Sequence, residues 1–432
     1  MDSGRLPNRT TAEPGSSISM HPSGSSPEAP REPLPRAFHI FLAGQGLSAI
    51  GDAMTLVALP LLVLSATGSV TQMGRLTALA RVGGLLATAG AGFVVDRWAP
   101  RRVMLACDVA RCLLMAFIPV AAALELRQLW PVFVVGIGAA FAQGIFYVGH
   151  VSLIAGLVGR ARVSLANSRI EGVIALAYVF GPFVAGVLSA RLGPAKVLGL
   201  DSLTFFVSVL ALLSMGSRSS PKPQALPSST RSLIGLVGLR FIRNQPELSR
   251  LTWLVAMAQL FTAAILDLFI FRLKHELGQG DIGTGVVFAV ASVGAVLAAL
   301  STPWLRARFT FHRLWAGAVA LQGFVLALSA RAHSFASLAA AAAVYMATMT
   351  TLMICQASIR QELTPQPLLG RVTSSYLVLV ALPTPVGALA ATALAASIGA
   401  GKVQAGVGVG LLLTAALASA VWARMPKGEA AG

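Results

Sequence analysis

The chain has 432 residues, of which 56% are hydrophobic and only 11% carry a charged side chain. A soluble domain has about 25% charged residues, so this composition excludes a soluble globule, and three cysteines are too few for an extracellular disulfide scaffold. The net charge of +17 would suit nucleic acid, but the basic residues stand in short clusters between long apolar runs. That arrangement predicts a polytopic membrane protein that has no nucleic-acid partner.

The first 36 residues contain many Ser, Pro and Gly and no apolar run, which predicts a disordered cytoplasmic tail rather than a secretory signal. Beyond them, apolar runs recur that are long enough for the roughly 20 helical residues that cross a hydrocarbon core of about 30 Å. Lipid offers no partner for unpaired backbone amides, so these runs are predicted to be helices. The twelve predicted spans are 37–64, 72–95, 103–124, 129–157, 169–190, 194–216, 249–273, 282–304, 313–330, 334–358, 370–397 and 401–423.

The distribution of lysine and arginine predicts the orientation. The even-numbered loops, with the span ends beside them, carry 17 basic residues, and the odd-numbered loops with their span ends carry 8. Because basic loops stay in the cytoplasm, the even-numbered loops and both termini are predicted to be cytoplasmic. Part of the positive charge is expected to face anionic lipid headgroups. The prediction is a multi-pass protein of the bacterial inner membrane.

Two ionisable residues lie deep in the first two spans, Asp52 and Arg81. Such residues cost several kcal/mol unless they are paired or wetted, so each invites a functional hypothesis. Counted from the turn that the two spans share, their depths differ by roughly 5 Å at about 1.5 Å per residue, so we expect them to approach each other at the edge of a central cavity. The pair is either a proton- or substrate-responsive carboxylate held by a cation, or a permanent ion pair that only orients the two helices.

The loop after the second span reads G-F-V-V-D-R-W-A-P-R-R, from Gly92 to Arg102. Gly92 allows close approach of a neighbouring helix, and Asp96 can cap the positive N-terminal end of another helix. An acid in so basic a loop is otherwise unexplained, so we interpret Asp96 as part of a conformational latch. Arg97, Arg101 and Arg102 are expected at the level of the headgroups, and for the last two an open alternative is that they only set the topology.

Other charged residues near the span ends are interpreted as structural. Asp108 and Arg111 are three residues apart in the third span and share one helix face, which predicts an intrahelical pair beside the latch loop. Arg169 and Glu171, at the start of the fifth span, are interpreted as interface residues. Asp201, near the start of the sixth span, is predicted to be shallow.

The central cavity is predicted to be largely apolar, because few polar side chains fall in the middle of the spans. Asp267 in the seventh span is a second candidate for binding a proton or a cationic group, with a wetted rim residue as the alternative. An apolar, aromatic cavity suits a large amphipathic substrate better than a sugar. For each aromatic residue in this predicted lining, helix packing is an open alternative. The other candidate lining residues are Gln45, Gln143, Phe146, Tyr147, Gln259, Tyr345, Met349 and Tyr376.

The longest loop, residues 217–248, separates six predicted spans from six. From Leu233 to Asn244 it is amphipathic, which predicts either an interfacial helix on the cytoplasmic leaflet or a linker helix packed on protein. The halves match where D-R-W-A-P-R-R-V begins at Asp96 and A-R-F-T-F-H-R-L begins at Ala307. Such a duplication is an architecture of secondary transporters. The predicted units are a tail (1–36), a first bundle (37–216), the linker (217–248), a second bundle (249–423) and a tail (424–432).

The Gly92–Arg102 loop resembles motif A of the major facilitator superfamily. S-A-I-G-D in the first span, D-V-A-R in the third, G-P-F-V-A-G in the fifth and R-Q-E-L-T-P-Q-P-L-L-G-R-V before the eleventh resemble the bacterial efflux branch of that family, which includes siderophore and macrolide exporters. The resemblance implies an all-α membrane fold with twelve transmembrane helices in two pseudo-symmetric six-helix bundles. It also implies that Asp96 latches onto the eleventh helix near Gly370 and Arg371 while the cavity faces outward.

The fifth span departs from the antiporter motif of drug exporters in this family. Only Gly181, Pro182 and Gly186 match, and Ala185 stands in place of a glycine. The departure weakens the inference of antiport more than the inference of fold.

These features predict a secondary active transporter that works by alternating access and exports a drug, a secondary metabolite or a siderophore by proton antiport. The alternatives are an importer of a small metabolite, a lipid transporter, and a non-transporting membrane receptor or scaffold. No G-x-x-x-x-G-K-[ST] motif is present, so ATP is not expected to drive transport directly, and the histidines lack metal-ligand spacing. We therefore expect no enzyme activity, no cofactor and no metal. The expected partners are a small-molecule substrate, protons and membrane lipids, and the chain is expected to be a monomer.

Overall fold

The structure is a computed structural model that describes residues 34–125, 128–159, 162–215, 237–365 and 368–423. Over these residues it is entirely helical. The predicted tails, apart from residues 34–36, and the linker up to residue 236 lie outside the described residues. The helices are α1 (Arg36–Thr67), α2 (Val70–Arg97), α3 (Pro100–Ala123), α4 (Trp130–Val158), α5 (Val163–Leu192), α6 (Pro194–Ser214), α7 (237–244), α8 (Pro246–Thr262), α9 (Ile265–Phe271), α10 (Asp281–Arg308), α11 (Phe311–Ser329), α12 (Phe335–Leu363), α13 (Leu369–Ala381), α14 (Thr384–Ile398) and α15 (Ala400–Ala423), with a π-helix, Arg272–Glu276, continuing α9.

Local sequence sets where several of these helices begin and end. Proline stands at the first or second position of α3, α4, α6, α8 and α14, where a missing N–H costs nothing. Gly68 ends α1 with a φ of 65°, and its N–H donates to the carbonyl of Leu64. Ser69 then caps α2 by accepting a hydrogen bond from the N–H of Gln72. The tight turn at Gly68 explains why the first two spans run in opposite directions.

Eleven helical segments of the described chain are long and apolar enough to cross a membrane, which makes this a multi-pass membrane protein. Helix α2 is not among the eleven, although its 28 residues give it a length of about 42 Å. The prediction of an all-α membrane protein is therefore confirmed, whereas the twelfth crossing stays a prediction for α2.

Two predicted spans are interrupted in the structure, and this corrects the expectation of continuous helices. The seventh span is divided into α8, α9 and the π-helix by a break at residues 263–264, and the eleventh is divided into α13 and α14 at residues 382–383. Pro383 and Pro385 explain the second break, because a proline has no N–H to donate to the preceding turn. The two breaks face each other, since a Cβ at Gly387 would overlap the carbonyl of Leu260.

The helices form two hydrophobic cores. One core is built mainly from α1 to α6, which we call the first helix set. The other is built mainly from α8 to α15, which we call the second helix set. The repeated loop motifs occupy matching positions in the two sets. Arg101, at the start of α3, contacts the end of α6, while His312, at the start of α11, stacks beside Trp422 near the end of α15. The sequence repeat thus corresponds to equivalent helix contacts.

The linker helix α7 packs on protein. Gly238 is buried, and a Cβ there would overlap the carbonyl of Arg371 in α13. Ile242 is also buried, whereas Arg240 and Arg243 are exposed. Of the two interpretations of the amphipathic segment, the described part fits the linker helix rather than a helix lying freely on the lipid surface.

The two helix sets touch near one end of the molecule. We call the end that carries the loops after α2, α4, α6, α10 and α12 the basic end, and the other the opposite end. Gly186 of α5 meets Gly285 of α10, and Gly74 of α2 meets Thr392 of α14, all close to the opposite end. The helix sets are therefore joined at the opposite end.

A buried arginine anchors the seventh span at the opposite end. The Arg272 side chain is 2% exposed and donates hydrogen bonds to Glu276 Oε2 (2.6 Å), Gln404 Oε1 (2.6 Å) and the carbonyls of Ser329 (2.7 Å) and Ala332 (2.9 Å). These carbonyls belong to the C-terminal turn of α11 and the residues that follow it, and the Ser329 carbonyl also accepts a hydrogen bond from the N–H of Ala332. Arg272 therefore ties the π-helix to α11 and α15.

Replacing Arg272 with alanine is expected to cost about 3–5 kcal/mol, because the buried acceptors lose their donor. The midpoint of thermal unfolding of the purified protein in detergent should fall by several degrees. Arg331→Ala is the matched control, because Arg331 is exposed at the same end. Equal midpoints for the two variants would contradict the anchoring role.

Candidate functional site

A buried ion pair connects α1 and α3. Arg111 Nη2 donates to Asp52 Oδ1, and the Asp52 side chain is 21% exposed whereas that of Arg111 is 3% exposed. The expected contact between Asp52 and Arg81 is wrong. The depth argument behind it compared only positions along the helix axes, which do not determine the face from which a side chain projects.

Arg111 also interacts with a second acid. Its Nη1 lies 3.8 Å from Asp108 Oδ1, and Asp108 Oδ2 accepts a hydrogen bond of 2.6 Å from Ser208 of α6. The guanidinium carbon lies 3.8 Å from the ring centroid of Phe205, a cation–π contact. The expected intrahelical pair is thus present, but it lies inside the first helix set with Asp52 rather than beside the latch loop.

A third acid completes this group. Asp201 of α6 is fully buried and accepts hydrogen bonds from Thr55 (2.5 Å) and Thr204 (3.0 Å). A Cβ on Gly51 would overlap the Asp201 carboxylate, so the glycine before Asp52 is required by the packing of Asp201. The expectation that Asp201 is shallow is wrong, because α6 packs its second turn against the middle of α1.

We call Asp52, Asp108, Arg111 and Asp201 the acidic network. It brings three carboxyl groups around one guanidinium. Burying a charge in an apolar interior costs several kcal/mol unless it is paired, and one cation balances one carboxylate. Asp52 has the most exposed side chain of the four and is therefore their point of access to solvent.

Arg81 lies in a different place, between the two helix sets. Its side chain is exposed, and it interacts electrostatically with Asp267 of α9, Tyr345 of α12 and Tyr178 of α5. Asp267 is 3% exposed and accepts a hydrogen bond of 3.0 Å from Thr77 of α2. The Thr77–Asp267 hydrogen bond joins the two helix sets beside Arg81.

Tyr178 lies between Arg81 and the acidic network. Its side chain is 50% exposed, and it interacts electrostatically with Asp52 and Arg111 as well as with Arg81. It is therefore exposed between the helix sets, within electrostatic reach of both groups of charges.

The predicted polar and aromatic lining residues divide into partly exposed residues and residues that are buried in helix contacts. Gln143, Tyr147 and Gln259 are half-buried and Met349 is 37% exposed. Tyr376 is 2% exposed. The others are buried in helix contacts: Gln45, Phe146 and Tyr345.

Tyr376 is held inside the second helix set. Its hydroxyl donates to Gln356 Oε1 at 3.1 Å, and the guanidinium of Arg360 lies 4.8 Å from its ring centroid. Packing accounts for this residue, which was one of the two interpretations offered for each aromatic.

A second group of charges approaches across the helix sets nearer the basic end. Glu171 of α5 is exposed and interacts electrostatically with Arg360 of α12. Tyr147 of α4 interacts with both residues. Glu171 therefore faces the second helix set.

The latch residues are described only in part. Gly92 and Asp96 lie in α2 and Gly370 lies in α13, but their side-chain surroundings are outside the described residues. Arg97, Arg102 and Arg371 are exposed. Arg101 donates from Nε to the carbonyl of Leu212 (2.6 Å) and from Nη2 to that of Leu213 (2.9 Å), so it caps the C-terminal end of α6 besides any effect on topology.

The glycines of the fifth span mark two close helix contacts. A Cβ on Gly181 would overlap Ala53 of α1, and a Cβ on Gly186 would overlap the backbone of Gly285 in α10. Pro182 is buried between them. About two turns deeper than the second contact, Ser292 of α10 donates to the carbonyl of Val179. The G-P-F-V-A-G segment thus packs α5 against both helix sets.

Gly186→Ala is expected to loosen the opposite end, because the added methyl overlaps backbone that cannot move aside, at a cost of about 1–3 kcal/mol. Spin labels are placed at positions 192 and 282 in a background without native cysteines. In double electron–electron resonance, Gly186→Ala should show a longer distance population than the protein that keeps Gly186. Gly172→Ala on the same helix is the control, since a Cβ there meets nothing within 4 Å. Unchanged distances for Gly186→Ala would contradict this account.

Sequence reasoning missed four residues of the site: Thr77, Tyr178, Gly285 and Arg360. Arg360 belongs to the R-Q-E-L segment and was counted only as a topology signal. Gly285 lies as far from the start of α10 as Gly74 from the start of α2, so a search for small residues in matching halves would have found it. Thr77 and Tyr178 carry no signal that separates them from other polar residues in spans.

Comparisons with known proteins give one consistent result. The model of the Major Facilitator Superfamily matches residues 41–388. The multidrug efflux pump Tap of Mycobacterium tuberculosis is 28% identical over 204 residues, which are 46% of this chain and 49% of Tap. The enterobactin exporter EntS of Salmonella typhimurium is 22% identical over 266 residues, 62% of this chain and 63% of EntS. The matched region thus spans about half the length of Tap and under two thirds of EntS.

Solved structures share the fold. The crystal structure of the nucleoside transporter NupG matches with a TM-score of 0.69 and 14% identity, covering 90% of this chain and 100% of NupG. A bacterial homologue of the iron transporter ferroportin in an inward-facing state matches with a TM-score of 0.65 and 19% identity, covering 90% and 98% of the two chains. At these identities the likeness concerns the fold alone.

Proposed function

The chain belongs to the Major Facilitator Superfamily, and from this premise we propose that it exports hydrophobic or amphipathic small molecules by alternating access, driven by proton entry. It is a transporter of small molecules rather than an enzyme. The names of the relatives Tap and EntS support a drug, a secondary metabolite or a siderophore as the exported compound. We place the protein in the inner membrane with both termini in the cytoplasm, because the basic loops gather at one end.

The observation that carries the proposal is the position of the charged groups between the helix sets, whose glycine contacts, Gly186 with Gly285 and Gly74 with Thr392, lie near the opposite end. Arg81, Tyr178 and Glu171 are exposed at deeper positions and toward the basic end. An exporter loads its substrate from the cytoplasm, so with the basic end in the cytoplasm we assign this arrangement to the state that accepts substrate there. Separation of Gly186 from Gly285 would open the same space to the outside.

Proton coupling is assigned to the acidic network. Its three carboxyl groups and one guanidinium are electrically neutral only when two of the carboxyls carry protons. Asp52 is the carboxyl with access to solvent, and a proton on it would end its ion pair with Arg111. Arg111 would then interact with Asp108 alone, which alters the contact between α1 and α3. Protonation of one carboxyl is thereby coupled to helix packing.

The latch remains part of the proposal. We assign Asp96 to the N-terminal end of α13, where Arg371 is exposed and α7 packs. An acid at that helix end is favoured by the helix dipole. This contact would hold the basic end closed when the opposite end opens, so that the cavity is never open to both sides.

Removal of the gene should increase the retention of the exported compound and the sensitivity of the cells to it. A panel of antibiotics and dyes, with ethidium as the fluorescent probe, can be tested in a deletion strain and in the strain complemented with the intact gene. Reduced uptake of a compound in the deletion strain would instead favour an importer. No change for any compound, together with no transport in vesicles, would favour a receptor or scaffold.

Asp52→Asn should abolish proton-coupled transport, because an amide neither carries a proton between the two sides nor forms the same ion pair. In everted vesicles with an imposed pH gradient, addition of an exported compound should cause proton efflux with the intact protein and not with Asp52→Asn. Asp52→Glu, which keeps the carboxyl, is the matched control. Full proton-coupled transport by Asp52→Asn would remove the coupling role from this residue.

A further inference from the structure

Arg81 presents, at the middle of the molecule, a guanidinium that has no hydrogen-bond partner among the described residues. Its side chain is exposed, and it takes part in no hydrogen bond or ion pair with the described residues. A guanidinium has five N–H donors in a fixed fork. A charged side chain inside a membrane protein is costly unless it is paired or faces water, so this position calls for a ligand or solvent on all five donors.

The surroundings of Arg81 come from both helix sets. It interacts electrostatically with Tyr178 of α5, Asp267 of α9 and Tyr345 of α12. Because these helices lie on different sides of the interface, the exposed guanidinium faces the space between the helix sets rather than lipid. The Tyr178 side chain is half exposed, and its hydroxyl likewise has no hydrogen bond with a described residue.

The acids nearby leave these donors free. Asp267 is 3% exposed and accepts a hydrogen bond from Thr77. It therefore offsets part of the positive charge of Arg81 from a buried position and leaves the exposed side of the guanidinium unoccupied. Asp52 is turned to Arg111. Glu171 faces Arg360, nearer the basic end. In the part of the chain that the structure describes, the exposed and unpaired charge at this depth is therefore positive.

Apolar surface adjoins the same position. Two narrow recesses of about 10 Å³ each share Phe288, Ala291 and Met346, and Tyr178 borders one of them while Tyr345 borders the other. A recess of this volume holds about one water molecule. The apolar part of a ligand would therefore lie against this wall from the open space, with its polar group at Arg81.

We propose that Arg81 and Tyr178 bind a carboxylate or similar oxyanion of an amphipathic substrate. The guanidinium fork matches the two oxygens of a carboxylate, and the Tyr178 hydroxyl adds one further donor. This inference rests on the proposed transport function and narrows its substrates to amphipathic anions.

The test compares the binding of three probes that share one fluorophore and differ in their polar group: 1-pyrenebutyrate, its neutral amide and 1-pyrenebutylamine. Fluorescence anisotropy with the purified full-length protein in detergent reports each affinity at neutral pH. The intact protein should bind the carboxylate at least about tenfold more tightly than the amide or the amine.

Variants assign that preference to residues. Arg81→Gln should reduce it to within about twofold, Arg81→Lys should keep part of it, and Tyr178→Phe should weaken carboxylate binding about threefold. Arg75→Gln is the matched control, an exposed arginine on the same helix, and should keep the full preference. Size-exclusion profiles show whether each variant is folded, and an Arg81→Gln protein that does not fold leaves the Lys and Phe variants to decide.

Two results would overturn the inference. The first is an intact protein that does not prefer the carboxylate probe, because it binds all three probes equally, binds the amine best or binds none. The second is a folded Arg81→Gln protein that retains the preference for the carboxylate. Transport is measured separately in vesicles. A carboxylate preference that depends on Arg81 without any transport would contradict the proposed export while leaving the anion site in place. Export of neutral or cationic compounds alone would contradict the anion site and not the transport function.

Discussion

The ion pair between Asp52 and Arg111 sets the constraint on which the site depends. A charge inside a bundle of apolar helices must be paired or reached by water, since its desolvation costs several kcal/mol. Arg111 is almost completely buried and is held by Asp52 and Asp108. Asp201 is buried on the same side through two threonine hydroxyls. The packing of α1, α3 and α6 therefore depends on the charge state of their carboxyl groups. Gain or loss of one proton changes contacts among all three helices.

Between the helix sets, small residues allow the close packing that holds the sets together. Association of helices in a membrane gains little from burying apolar surface, so close backbone approach and hydrogen bonds supply the attraction. Gly186 and Gly285 meet without side chains, and Gly74 accommodates Thr392. The Thr77–Asp267 hydrogen bond is the polar contact beside them. Such contacts act only at short range, as the proposed alternating access requires of an interface between the helix sets.

The interruptions of the seventh and eleventh spans lie close to these groups. Asp267 follows the break after α8 by a few residues, and Tyr345 interacts with Thr262 at the end of α8. Broken helices in transporters are tolerated where they line a cavity. The break lets α9 turn Asp267 toward Thr77, while the π-helix beyond it is held by Arg272. One span thus combines a part that Arg272 anchors at the opposite end with a displaced middle part.

The sequence by itself determined the membrane class, the helical fold, the family and the positions of most helix ends. These follow from local properties: the length of each apolar run, the prolines and glycines at its ends, and a loop motif whose residues are consecutive. It also identified the ionisable residues inside the spans, because each is chemically out of place there. The partner of each residue was decided only in the tertiary structure. Asp52 pairs with Arg111 rather than Arg81, and Asp201 is central rather than shallow, because a partner depends on the rotation of each helix about its axis. That rotation is set by packing contacts such as Gly51 against Asp201 and Gly181 against Ala53, which join residues distant in the chain.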